Sequence, residues 1–197
     1  MKMTLKKLES FHPCSKGLAF AQKCDGDFVK IWQTCDRGDW LIWLLRRCNL
    51  LKKKPSVEIA IECAKHVLVN YEKKHPDDLR PRKAIEAAEK WLKSPTEKNK
   101  NAAVYAAASA AYAAASAAYA AYASAADASA AYAASAAADA AASAAYASAA
   151  AYADYASAAA ASAAAYAAYA SASAADAERK WQANKIREIV GKNPFKK

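Results

Sequence analysis

Apolar positions recur at helical spacing along most of this chain. Ile59, Cys63, Val67 and Tyr71 stand four residues apart. They predict one buried stripe on a helix that Ser56 opens, after a Lys52–Pro55 loop, and that His75-Pro76 ends. Ala84, Ile85, Ala88, Trp91 and Leu92 form the inner face of the next predicted helix, with Pro81 at its first position. Upstream, His12-Pro13 and Asp25-Gly26-Asp27 punctuate two shorter helices, from Ser15 to about Cys24 and from Phe28 to Thr34. Asp36 is placed to cap a further helix carrying Trp40, Leu41, Trp43, Leu44 and Leu45. Asp39 lies in its first turn and Arg46 and Arg47 in its last, as the helix dipole favours. Ser94-Pro95-Thr96-Glu97 reads as a capping box that starts another helix.

After Pro95 no glycine or proline occurs before Gly191. Residues 102–177 hold 50 alanines, 11 serines and 10 tyrosines in 76 positions. Alanine has the highest helix propensity, so this tract is expected to be helical. Its tyrosines keep phase within blocks, as at Tyr105, Tyr112 and Tyr119, and slip between them. The slips predict several helices that fold back as antiparallel hairpins, with breaks near 123–130 and 147–154 and the phenol rings at the seams. The expected fold class is therefore all-α, a helical bundle of short N-terminal helices followed by long Ala/Tyr-rich ones. Residues 1–94 form a mixed-composition part. Residues 95–197 form the array with an amphipathic C-terminal helix, packed on the first part as one unit. Ser or Asp interrupts the tract too often for a membrane span. Ice-binding alanine helices rely on spaced threonines, and residues 102–177 contain none.

The net charge of +10 is uneven: residues 1–101 carry +9, residues 102–177 carry −4 and residues 178–197 carry +5. That asymmetry points to an anionic partner or to a lysine-rich solubilising surface. The five cysteines all lie in the first third without C-x-x-C spacing, so neither a disulfide framework nor a zinc ribbon is indicated. A metal site from His12, Cys14 and Cys35 lacks closed ligand spacing. The three histidines fall on separate elements, and no phosphate loop, H-E-x-x-H or G-x-S-x-G occurs. No enzyme, metal or cofactor is implied. With no apolar leader after the basic start, the cytoplasm is the expected compartment.

Two runs are denser than a scaffold requires: Cys35-Asp36-Arg37-Gly38-Asp39-Trp40-Leu41-Ile42-Trp43-Leu44-Leu45 and Asp78-Leu79-Arg80-Pro81-Arg82-Lys83-Ala84-Ile85-Glu86. Each sets Arg and Asp at a helix start ahead of an apolar face. Asp39 and Arg80 could pair across the two entrances, or the entrances could serve as anion sites. These runs, with His12-Pro13-Cys14 before them and Glu178-Arg179-Lys180-Trp181-Gln182 after the tract, resemble a family of immunity proteins encoded by bacteria and their phages, similar to one immunity class of polymorphic toxin systems. The resemblance implies an α-helical, non-catalytic protein that neutralises a toxin or immune effector in the bacterial cytoplasm. A basic chain has the wrong sign to inhibit a basic nuclease. Two other expectations stand beside it. One is a phage-encoded sponge that sequesters an anionic nucleotide signal. The other is a homo-oligomer assembled through Ala/Tyr faces. Nucleic acid and membrane are not expected partners. The candidate binding residues are Arg37, Asp39, Trp40, Trp43, Arg80 and Arg82.

Overall fold

A computed structural model describes residues 3–107, 109–110 and 172–196. Among them the elements are α1 (Leu5–Glu9), α2 (Ser15–Lys23), α3 (Phe28–Thr34), α4 (Gly38–Arg47), α5 (Lys53–Lys74) and α6 (Arg80–Lys93). A helical stretch over 97–107, here α7, follows, and Ala172–Val190, here α8, closes the series. The described residues contain no strand. The tyrosine blocks beyond Tyr105 and both expected breaks lie outside the described residues.

Local chemistry sets the boundaries. Asp27 caps α3 by accepting from the amides of Val29 and Lys30. The turn ahead of it runs through Asp25 and Gly26, both left-handed at φ 57 and 66. A side chain at Gly26 would also strike Leu5 Cγ of α1 at 2.7 Å. Asn49, at φ 55, ends α4, with the Leu50 amide reaching back to the Leu45 carbonyl at 2.8 Å.

Three helix starts differ from the sequence expectation. Arg37, not Asp36, occupies the cap position of α4 and makes no capping bond. α5 begins at Lys53, so Pro55 lies inside its first turn, where a missing N–H costs nothing. The Ser56 hydroxyl donates to the Lys52 carbonyl instead of capping. α7 starts two residues later than the Ser94 box implies. Thr96 accepts from the Asn99 amide, while the Asn99 side chain satisfies the Ser94 carbonyl. The hydrophobic pattern does not predict α1, which buries only Leu8 and is too short to show a period.

The core has two main lobes. The larger joins α3, α4, α5 and α6 with α8, through Trp32, Leu45, Ile59, Tyr71, Trp91 and Ile186. The expected stripe Ile59, Cys63, Val67 and Tyr71 is fully buried. The smaller lobe lies under α1 and α2, around Leu8, Ala21, Phe28, Ile31 and Leu44. α8 therefore belongs to the core of a unit whose other helices lie within the first half of the chain, packing on both α4 and α5.

At the start of the alanine tract, Ala107 and Ala110 bury themselves against Ala84 of α6. Tyr105 is 78% exposed. Ala103, Ala107 and Ala110 share one helical face at 100° per residue, and Tyr105 falls roughly opposite it. Here the small methyls, and not the ring, make the seam.

Candidate functional site

The chemistry-bearing side chains gather at three joints. The first is the entrance to α4. The Arg37 guanidinium forms a two-pronged pair with Asp39, Nε to Oδ1 at 2.9 Å and Nη2 to Oδ2 at 2.6 Å, and lies over the Trp40 ring at 4.8 Å. The bond to Asp39 raises the Arg37 pKa. Before it, the Cys35 thiol donates to the Arg37 carbonyl, and burial pushes that thiol up to about 11, so it stays neutral. Trp43, three residues beyond Trp40, lies beneath the Arg47 guanidinium at 5.7 Å. Trp40 also meets Phe20 of α2 at 6.0 Å between ring centres. Beside these rings a cavity of about 300 Å³ opens at Pro13, Cys14, Asp39 and Trp40 and is floored by the smaller lobe.

The second joint is the α5–α6 corner. Asp78 accepts from the Arg80 amide, from Arg80 Nε at 2.8 Å and Nη2 at 2.6 Å, and from the Tyr71 hydroxyl at 2.6 Å. Arg82 grips Glu72 of α5 with two bonds of 2.7 and 2.6 Å. Asp39 and Arg80 thus each take a carboxylate or guanidinium two residues away, in place of the cross-helix pair considered from sequence. A residue just outside a helix and one in its first turn are close enough for a fork, which needs no long-range alignment.

Of the six candidate residues, Asp39, Trp40 and Trp43 come together at the cavity, and Arg37 is paired with Asp39 beside it. Arg80 and Arg82 belong to the α5–α6 corner and pin its two helices. No family model, curated protein or solved structure matches the chain.

Sequence reasoning missed the third joint, where α8 meets α5. Glu178 is buried at 6% exposure, accepting from His66 Nδ1 at 2.7 Å and from Gln182 Nε2 at 2.9 Å. The His66 ring stacks flat on Trp181, 3.8 Å between centres and 6° between planes. Further along α8, Arg187 donates from Nε to the Trp32 carbonyl at 2.7 Å and from Nη2 to the Cys35 carbonyl, satisfying the open end of α3. Only the Glu178–Gln182 run marked this region in the sequence. A histidine and a glutamate 112 residues apart give no local signal. Cys14, Cys35 and His12 do not converge on a metal. Among the described residues no three potential ligands do, and the Cys14 sulfur accepts from the Gly17 amide at 3.3 Å. No described helix is long and apolar enough to cross a membrane.

The Asp78 joint carries a pH prediction. Arg80, above all, holds the Asp78 carboxyl well below its ordinary range. A carboxylate whose folded pKa lies below its unfolded one contributes stability above the unfolded pKa and loses it as pH falls toward the folded one. Urea unfolding between pH 7 and pH 2 should therefore show stability falling below about pH 4. Asp78→Asn should be less stable at pH 7 and show a shallower fall. Parallel curves for the two proteins would remove this role.

Proposed function

We propose that the protein is a non-catalytic binding protein of the immunity or counter-defence type, which neutralises a toxin or immune effector by occupying it. One observation carries this reading. The three arginines of the two dense motifs are each engaged by a carboxylate, Arg37 by Asp39 and Arg80 by Asp78 at helix entrances and Arg82 by Glu72 near the end of α5. The first fork fixes the entrance of α4 locally, while Arg82 with Glu72, and Asp78 through the Tyr71 hydroxyl, hold α5 and α6 together; a rigid surface loses little entropy on binding a partner protein. The resemblance of these motifs to immunity proteins supports the same reading.

The nucleotide-sponge reading draws on a different feature. A cleft of about 350 Å³ between the starts of α4 and the basic part of α8 presents Arg37, Arg179 and Lys180. Asp36 and Asp176 share its walls, and Arg179 is paired with Asp176 at 2.9 Å, so an incoming phosphate must compete with carboxylates. The homo-oligomer reading rests on alanine and tyrosine faces outside the described residues. Native mass spectrometry of the purified protein separates the three. Our reading expects a stoichiometric protein partner whose toxic or effector activity is suppressed in the complex and returns when the two are parted. A bound nucleotide, or a homo-oligomer carrying nothing, would contradict it.

A further inference from the structure

We propose that the cavity between α2 and α4 is a small-molecule site for a two-ring aromatic compound that is neutral or carries one positive charge. This goes beyond the protein-partner reading and does not depend on it. The cavity is a half-open pocket of about 300 Å³ lined by residues of α1, α2, α3 and α4, concave and mostly apolar as small-molecule sites are. A cavity of about 150 Å³ accommodates benzene, and twice that suits a fused bicycle. The floor is apolar: Phe28, Ile31, Leu41 and Leu44 are at most 5% exposed, and the Cys35 thiol among them is uncharged. Trp40 and Trp43, both half-buried, line the cavity with Arg37 and Arg47 over their rings, and offer aromatic surface to a flat molecule.

Two further observations define the occupant. Among the described residues that line the cavity, Asp39 is the sole charged side chain. Arg37 takes one bond to each of its oxygens and leaves further acceptor capacity for an N–H of the ligand. Of that pair the carboxylate lines the cavity and the guanidinium does not, so an N–H donor meets the nearer charge and a phosphate or carboxylate does not; Arg37 itself borders the cleft at Arg179. The other observation is Gly17 in the first turn of α2, where glycine is about 1 kcal/mol less favourable than alanine. A Cβ there would stand 3.2 Å from Cys14 Sγ and 4.0 Å from the Trp40 ring, narrowing the mouth. Glycine at such a place lets backbone come close to a ligand.

The test uses the full-length protein and three probes of one size: tryptamine, indole and indole-3-acetate. Binding is followed by calorimetry and by the indole N–H resonances of Trp40 and Trp43. Tryptamine should bind saturably at one site, at least about tenfold more tightly than indole-3-acetate, with indole between them. Asp39→Asn should abolish the preference for the cation while indole affinity stays. Ala21→Leu, which fills the floor, should eliminate all three titrations with the unfolding midpoint retained. Gly17→Val, at the mouth, provides the same block should Ala21→Leu fail to fold. No saturable binding to the wild-type protein at millimolar probe, tighter binding of the anion, or unchanged binding in a folded blocking variant would overturn the proposal.

Discussion

Gly38→Ala should cost about 2–3 kcal/mol of stability, although alanine is the better helix former by about 1 kcal/mol. Gly38 is the first residue of α4 and lies directly against α8. A Cβ on it would stand 2.7 Å from Gln182 Cβ, 3.2 Å from the Ala183 amide nitrogen and 3.3 Å from the Gln182 carbonyl carbon. Two of those atoms are backbone, so no rotamer change relieves the clash, and α8 must move as a body. Movement there strains the buried Glu178–His66 pair on one side and the Arg187 bonds to α3 on the other. Gly191→Ala supplies the contrast. Gly191 ends α8 at φ 75 with nothing within 4 Å of an added Cβ, so its cost is the left-handed backbone alone, about 1 kcal/mol. Urea unfolding with a common slope checks both variants. A Gly38→Ala protein as stable as wild type would mean that α8 does not lie where described.

Ile186→Ala has the second large expected effect, a loss of about 3 kcal/mol within the 2–5 kcal/mol that such truncations cost in closed cores. Ile186 has no exposed surface and stands in the main lobe with Trp32, Leu45 and Ile59. Ile189, three residues on, is only partly buried at the edge of the same lobe, and its truncation should cost less than half as much. The fluorescence of Trp32 and Trp40, more than 140 residues away in sequence, should lose its native value in the same transition. Equal effects of the two isoleucine variants would show that the α8 face is not set as described.

The sequence was most legible where one helix buries one stripe. The four-residue spacing from Ile59 to Tyr71 and the inner face of α6 appear as written, because burial on a single face imposes a period that needs no partner's identity. Helix starts were less legible. Asp36, Ser56 and Ser94 are all good capping residues, yet the cap positions fall to Arg37, Lys52 and Thr96, and Gly38 beside the first of them fits closely against α8. The pairing of Arg37 with Asp39 and Arg80 with Asp78 is half visible in the sequence: the charges stand at both entrances, but their spacing does not say that each entrance satisfies itself. The joint of His66 with Glu178 and Trp181 was hidden, since it joins segments separated by the whole alanine tract. Tyr105 shows why the tyrosine spacing was a weak guide. A ring repeats at the same interval whether its face is inward or outward, and here the inward face is alanine.

α8 is a structural member of the N-terminal unit and not an appendage to it. Native-state hydrogen exchange on the intact chain measures this directly. The amides of Ala183 to Arg187 should exchange with the same opening free energy as those of Ile59 to Val67, since both helices can open only when the shared core does. Exchange from 183–187 several kcal/mol easier than from 59–67 would contradict it, because α8 would then open while the rest stays folded.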